Sequence, residues 1–199
     1  MPDAWDLLPE KERKADTVAT FIIFCEDKET EPSYFEGFQR MGKLKVNVVP
    51  NQKQGSWHIN NAIAYCKKND LIEIADRVYR LKPNVTEHIW CVFDRDLENE
   101  NIADINPAND NDFTDSIDNA ERKGLKVAWS NDAFELWILL HFENVPTGQI
   151  LHRQYIYDRL TYVFRQLENK PQELETAVLN PQFSYKEKMK KRISFMRYV

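Results

Sequence analysis

The sequence predicts an α/β fold, a mostly parallel sheet of about four strands with helices on both faces, followed by a C-terminal helical annex. Four short runs are rich in apolar residues, and the first, over residues 18–25, is almost continuously hydrophobic, which is typical of a strand covered on both faces. Segments with apolar residues at helical spacing separate these runs, and such alternation favours a parallel sheet. At 199 residues the chain is long enough to bury the core of such a domain.

The first strand is predicted over residues 18–25, where Val, Ile and Phe dominate. A helix follows, and either Thr30 or Glu31 can cap its start. Pro32 is compatible with a first helical turn because the nitrogen there needs no hydrogen-bond partner. Gly42 ends the helix.

The second strand is predicted over residues 44–49 and is followed directly by a proline. Residues 55–81 then carry apolar side chains at helical spacing, which predicts one long helix that Pro83 closes. The dipeptide Asn69-Asp70 marks a point where this helix could break.

The second half of the chain continues the alternation. It predicts a strand over 88–93, a helix over 112–123 that a glycine caps, and a strand over 125–129. An apolar helix over 133–142 follows, and the chain is helical again from about His152.

Composition places the chain among soluble globular proteins, with 42% hydrophobic and 30% charged residues. No apolar stretch approaches the roughly 18–20 residues that span a bilayer, and residues 1–16 have no apolar signal core. We therefore expect a cytoplasmic protein with no membrane partner. The three cysteines, Cys25, Cys66 and Cys91, lack CxxC spacing, so we expect reduced, buried thiols.

Charge is segregated along the chain, although the net charge is only −5. Residues 94–121 carry ten acidic side chains and one Arg, whereas residues 183–199 carry six basic side chains and one Glu. Aromatic residues interleave with the basic ones, which is compatible with a nucleic-acid backbone contact and equally with a solvated amphipathic helix. The basic residues are Lys186, Lys188, Lys190, Lys191, Arg192 and Arg197.

Polar side chains follow three of the four predicted strands. Glu26 follows the first, Asp94 and Asp96 follow the third, and Ser130-Asn131 follows the fourth. The carboxyl ends of parallel strands share one edge, where ligands collect. Carboxylates gathered there raise one another's pKa unless a cation compensates them, and Mg²⁺ or Mn²⁺ is the natural choice. A lone DxD is more often a solvated strand end, but a strand-end Glu together with a strand-end DxD favours a metal site.

Three segments resemble the RloB-like family. Residues 25–35 (CEDKETEPSYF) resemble its "CEGExTEPxYF" opening, and residues 92–96 (VFDRD) resemble its "hFDrD" segment. Residues 130–142 (SNDAFELWILLHF) are similar to its "SNPxFExWLLLHF" segment. The order is also similar to that of Toprim domains, where a Glu after the first strand and a DxD after the third bind divalent metal.

The resemblance implies a Toprim-like catalytic domain over residues 17–145, between a flexible head (1–16) and a helical annex with a basic end (146–199). It also implies a Mg²⁺-dependent (or Mn²⁺-dependent) nuclease or phosphotransfer centre of prokaryotic antiphage defence, with nucleic acid as substrate and an ATPase as partner. The residues it assigns to the site are Glu26 as ligand or general base, Asp94 and Asp96 as the metal pair, and Glu135 and Glu31 as further ligands.

Two positions depart from the family pattern. Asp27 stands where the family usually has Gly, and Asp132 stands where it usually has Pro.

Several candidate residues also have simpler interpretations. Glu135 could cap its helix, and Lys28 could neutralise a phosphate or a leaving oxygen or be an ordinary surface lysine. His141 lies on an apolar helix and is expected to be a hydrogen-bonded, buried histidine. The tryptophans lie in predicted elements and are expected in the core rather than on a base-stacking surface, namely Trp57, Trp90, Trp129 and Trp137.

The function favoured by the sequence is metal-dependent cleavage of nucleic acid. The alternative is a non-catalytic Toprim-like module that senses a product or docks a partner protein. A haloacid-dehalogenase-type phosphatase fits poorly, because its DxD normally follows the first strand and continues with Gly-Thr or Gly-Val, whereas Leu97-Glu98 follows here. The choice between DNA and RNA, and whether the chain forms a homo-oligomer, are left open.

Overall fold

A computed structural model describes residues 19–40, 44–50, 52, 55–95, 107–145 and 151–167. Its strands are β1 (Thr20–Cys25), β2 (Lys45–Val49), β3 (Ile72–Ala75), β4 (Val78–Leu81), β5 (His88–Asp94) and β6 (Lys126–Ser130). Its helices are α1 (Thr30–Arg40), α2 (Gly55–Lys68), α3 (Pro107–Arg122), α4 (Glu135–Leu139) and α5 (Arg153–Gln166).

Four strands form the main sheet in the order β2-β1-β5-β6, and all of its neighbours are parallel. The two central strands, β1 and β5, are in register so that Cys25 lies beside Val92. On the other side of β5, Asp94 lies beside Ser130 of β6. The predicted fold class is therefore confirmed, and the carboxyl ends of the strands meet at one edge.

Helices cover both faces of this sheet, and side chains alternate between the two along each strand. On one face Ile23 and Val92 pack with apolar residues of α1, α4 and α5. On the other face Ile22 and Phe93 pack with residues of α2, α3 and the β3–β4 pair. Helix α5 falls within the predicted annex, and its buried Leu160 joins the first of these cores.

The predicted long helix over residues 55–81 is wrong in its second half. Helix α2 ends at Lys68, Asp70 adopts a left-handed φ of 57°, and residues 72–81 form the antiparallel hairpin β3–β4. The turn residues Asp76 and Arg77 have φ values of 52° and 64°, which gives a two-residue hairpin turn. The apolar residues here fit both the helical period of about 3.6 residues and the strand period of two. In so short a segment the pattern does not distinguish a helix from a strand.

Burial confirms the expectation for the cysteines, since all three are buried. It contradicts the expectation for three tryptophans: Trp57, Trp129 and Trp137 are 67%, 43% and 44% exposed. Trp57 lies near the start of α2, Trp129 lies on the edge strand β6, and Trp137 lies on the five-residue helix α4. Membership of a predicted element therefore did not fix which face each side chain occupies. None of the described helices is long and apolar enough to cross a membrane.

Candidate functional site

The ends of the central strands are joined by a carboxylate. Oε2 of Glu26, directly after β1, accepts a hydrogen bond of 3.0 Å from the backbone N–H of Asp94, the last residue of β5. Two of the three acidic residues that the sequence placed at this edge, Glu26 and Asp94, are therefore neighbours. Asp96 lies outside the described residues.

A pocket of about 140 Å³ opens at this edge. Five carboxylates and one guanidinium are among its lining residues, which are Glu26, Asp27, Glu31, Asp94, Ala133, Phe134, Glu135, Arg153 and Tyr157. Four of the predicted site residues thus share one concave surface. Lys28 is exposed and is not among the lining residues.

Glu31 lies in the first turn of helix α1 and links that turn to the end of β1. Its side chain is turned inward, so that the residue is only 2% exposed. Oε2 of Glu31 accepts hydrogen bonds from the backbone N–H groups of Glu26, at 2.7 Å, and of Asp27, at 3.3 Å. Glu31 thereby fixes the loop that carries Glu26. The sequence alone does not distinguish this positioning role from the role of a metal ligand.

Asp27 stabilises the other end of the same loop. Its Oδ1 accepts N–H bonds from Glu29 and Glu31, at 3.0 and 3.3 Å, and its Oδ2 accepts one from Thr30 at 3.2 Å. These N–H groups lie at the start of α1, where the helix itself offers no acceptor. Asp27, which stands where the family usually has Gly, is thus a capping residue. It is not among the residues with positive φ, so its backbone does not require a glycine.

The electrostatics of the pocket are dominated by like charges. Burial raises the pKa of Glu31 well above its ordinary value, and the neighbouring charges of Asp94, Asp27 and Glu26 raise it further. The backbone N–H bond from Asp27 acts in the opposite direction and is outweighed. The pocket therefore favours any added positive charge.

Glu135 reaches the pocket from the first turn of α4 and is 3% exposed. The N-cap of this helix is Phe134, whose side chain makes no capping hydrogen bond. Because Phe134 offers no side-chain acceptor, a capping box is not formed, and a favourable position for an acid in the first helical turn remains as the simpler interpretation of Glu135.

Helix α5 supplies two lining residues that sequence reasoning missed, Arg153 and Tyr157. Nε and Nη2 of Arg153 donate to the carboxylate of Asp132 at 3.1 and 2.9 Å, and Nη2 also donates to the backbone oxygen of Asp132 at 3.2 Å. Burial raises the pKa of Tyr157, and the charge of Glu135 raises it further, so its hydroxyl stays protonated. Their i, i+4 spacing places both on one helix face, but nothing in the sequence shows that this face returns to the strand ends.

Two histidines near the site have structural roles. His58 of α2 is buried, and its Nε2 donates a hydrogen bond of 3.1 Å to the backbone oxygen of Phe24. This bond supports the end of β1 just before Glu26. His141 is hydrogen-bonded as expected, with Nε2 2.9 Å from the hydroxyl of Tyr34, but its side chain is exposed rather than buried.

The donor chemistry of this edge fits a hard divalent cation, because carboxylate oxygens are the ligands that Mg²⁺ and Mn²⁺ prefer. The buried hydroxyl oxygen of Ser130, beside Asp94 in the register, has no hydrogen-bond partner within the described residues. Buried polar atoms are normally satisfied, so this edge has acceptors to offer. Within the described part of the chain, however, no three His, Cys, Asp or Glu side chains are arranged as a ready metal site.

Comparison with known proteins gives a family. A family model described as RloB-like protein matches residues 21–196, which include the site and, outside the described ranges, the basic residues from Lys186 to Arg192. Comparisons with curated proteins and with solved structures found no match. Because the family match covers most of the 199 residues, the chain belongs to the RloB-like family.

Proposed function

We propose that this protein is a Mg²⁺-dependent nuclease that hydrolyses phosphodiester bonds of DNA or RNA. The observation that carries the proposal is the convergence of Glu26 and Asp94, from separate strands, in a pocket that also holds Glu31 and Glu135. Glu31 and Glu135 are buried and Glu26 and Asp94 are partly buried, so this concentration of negative charge is costly unless a cation compensates it.

In this proposal Glu26, Asp94 and Glu135 would hold the cation, and Asp96 would complete the set. When bound, Mg²⁺ neutralises the phosphate and makes a bound water more acidic. Glu26 also lies where it could accept a proton from an attacking water. Glu31 keeps Glu26 in place by holding its backbone N–H, and is therefore a positioning residue.

We also propose, from the family resemblance, that the protein acts in the cytoplasm in antiphage defence with a partner ATPase. The basic residues 186–197 would then contact the nucleic-acid backbone.

The test is cleavage of labelled DNA, RNA and tRNA by the purified protein with Mg²⁺ or Mn²⁺, alone and with an ATPase encoded beside its gene. The wild type should cut at least one substrate, and Asp94→Asn should lose about 100-fold or more in rate. Glu29→Gln, which changes an exposed carboxylate on the same loop, should keep full activity. A wild type that cuts nothing under any of these conditions would contradict the proposal.

A non-catalytic binding module is the second candidate. It is favoured by the finding that no three described side chains form a ready metal site. Calorimetry separates the two candidates, since a module that keeps its carboxylates for structure alone should bind neither Mg²⁺ nor Mn²⁺, and Asp94→Asn should leave its biological effect intact.

A further inference from the structure

Arg153 is the one basic residue among the described side chains that line the carboxylate pocket. A phosphodiester is an anion, and five carboxylates line the same pocket. Even with a divalent cation bound, an approaching phosphate would face excess negative charge from these side chains. A cation fixed in the protein is therefore needed on the approach.

The guanidinium of Arg153 is both fixed and accessible. Its N–H groups donate hydrogen bonds to the carboxylate and the backbone oxygen of Asp132. The Asp132 side chain is only 6% exposed. The Arg153 side chain is 40% exposed, so solvent and ligands reach it. A guanidinium held by one partner loses little further side-chain entropy when it binds a second one.

Arg153 also suits a phosphate by its chemistry. Asp132 takes the Nε and Nη2 donors, so the contact to a phosphate would come from the Nη1 side of the guanidinium, whose charge strengthens the hydrogen bond. Tyr157, one helical turn away, lines the same pocket, and burial raises its pKa so that its hydroxyl stays protonated. The α5 side of the pocket therefore offers donors, whereas the strand-end side offers acceptors.

We infer that Arg153 is the residue that binds the substrate phosphate, with Asp132 as the positioning residue that holds it. This inference rests on the proposed function for the identity of the ligand, a nucleic-acid phosphodiester. Its test measures binding separately from cleavage, so that the two can fail independently.

The experiment is equilibrium binding of short fluorescein-labelled oligonucleotides of mixed sequence, as DNA and as RNA, with Ca²⁺ in place of Mg²⁺ to limit cleavage. Arg153→Gln should weaken binding by roughly tenfold to a hundredfold, the scale of one charge-assisted contact. Arg153→Lys should recover only part of the loss, because an ammonium cannot hold Asp132 through two parallel donors and contact a phosphate at the same time.

The matched control is Arg159→Gln. Arg159 lies on the same helix and donates through Nε to Glu143 at 3.0 Å, with a second contact from Nη2, and it does not line the pocket. This variant removes the same charge from the same helix, so its affinity should stay within about twofold of wild type. Should Arg153→Gln fold poorly because Asp132 loses this guanidinium, the double variant Asp132→Asn/Arg153→Gln removes both charges and decides the question.

Each outcome decides one of the two ideas. Equal losses in Arg153→Gln and Arg159→Gln, no loss in either, or no binding by the wild type would overturn the role of Arg153. Arg153-dependent binding with no cleavage in Mg²⁺ would keep that role and overturn the nuclease. Cleavage that is unchanged in the folded Arg153 variants, with unchanged binding, would keep the nuclease and overturn the role of Arg153.

Discussion

The buried carboxylate of Glu31 accepts two backbone N–H groups and lies among three other acidic side chains. Hydrogen bonds from N–H groups favour its charged form, whereas burial and the neighbouring charges favour its neutral form. The second effect dominates, since the pKa is raised well above its ordinary value. The residue therefore holds the Glu26 loop at an electrostatic cost that depends on pH.

That cost predicts the pH dependence of stability in protein without divalent metal. Above the ordinary pKa of 4.5 the unfolded chain releases the Glu31 proton while the folded protein retains it. Because the folded state then binds more protons, the free energy of unfolding falls as pH rises from 4.5 toward the raised pKa, by about 1.4 kcal/mol for each pH unit. Glu31→Gln cannot ionise, so it should gain stability relative to wild type across this window, as measured by urea unfolding at a series of pH values.

The control for this prediction is Glu29→Gln, an exposed carboxylate on the same loop. It should leave the slope of stability against pH unchanged. A Glu31→Gln profile parallel to that of wild type would show that burial at this position carries no such cost.

The place of a single residue in the fold was predictable from sequence where the residue directly follows a strand. Glu26 and Asp94 directly follow runs of apolar residues, so the parallel sheet brings them to one edge. Glu31 lies in the same pocket, but the sequence shows only a carboxylate and not the N–H groups whose hydrogen bonds it accepts. Trp129 was misplaced, since an apolar strand pattern does not reveal that its strand is at the edge of the sheet.

At the scale of elements, the hairpin β3–β4 has a turn whose backbone is unusual for its residues. Asp76 and Arg77 both have positive φ, as a two-residue turn of this kind requires, but Arg has a Cβ that disfavours the left-handed region. Glycine is free of this penalty. Arg77→Gly should therefore raise the free energy of unfolding by about 0.5–1 kcal/mol, after allowing for the greater entropy of glycine in the unfolded chain.

The opposite substitution tests the same argument. Gly124 follows α3 with a φ of 80°, and an added Cβ there would meet only Leu81 side-chain atoms at an ordinary contact distance of 3.6 Å. Gly124→Ala should therefore lose about 1 kcal/mol through backbone strain rather than through a clash. Both values are measured by urea unfolding, and a destabilised Arg77→Gly would contradict the assignment of the turn.

The same hairpin shows why element order was predicted better than element type. The main strands were found because each is short, apolar and bounded by polar residues. The segment 72–81 is half exposed and lies after a helix without Gly or Pro between them, so its apolar residues continued the helical pattern. Its identity depends on the left-handed backbone at Asp70, Asp76 and Arg77, and no glycine marks those positions.

Among the described residues, Arg153–Asp132 and Arg159–Glu143 are ion pairs that join α5 to the segment before it, and they differ in burial. Removing Arg153 would take the guanidinium away from the 6% exposed carboxylate of Asp132, whereas the Arg159–Glu143 pair is more open to solvent on the side of the acid. Arg153→Leu should cost about 2–4 kcal/mol, because it leaves the Asp132 carboxylate buried without its guanidinium, and Arg159→Leu should cost less, because its pair is more exposed. Thermal unfolding of the two variants checks the order, and an equal effect would show that Asp132 is compensated by other groups.

For the whole molecule, the net charge of −5 matters less than its location. Glu26, Asp27, Glu31, Asp94 and Glu135 gather in one pocket, so their mutual repulsion destabilises the folded state more than the unfolded chain, where they are farther apart. The same group of carboxylates that could bind a metal ion therefore destabilises the folded protein when no metal is bound.

A divalent cation that binds the folded protein alone should therefore raise its thermal midpoint. At a metal concentration about 100 times the dissociation constant, the gain is about 2.7 kcal/mol, or roughly 5–10 °C for a chain of this length. Mg²⁺ or Mn²⁺ should produce this shift, whereas KCl at equal ionic strength should produce much less, because salt only screens the charges. Asp94→Asn should abolish the metal-specific part, while Glu29→Gln should keep it. Equal shifts with KCl and with divalent metal would show that the pocket attracts cations without binding one, and the carboxylates would then have to be explained by structure alone.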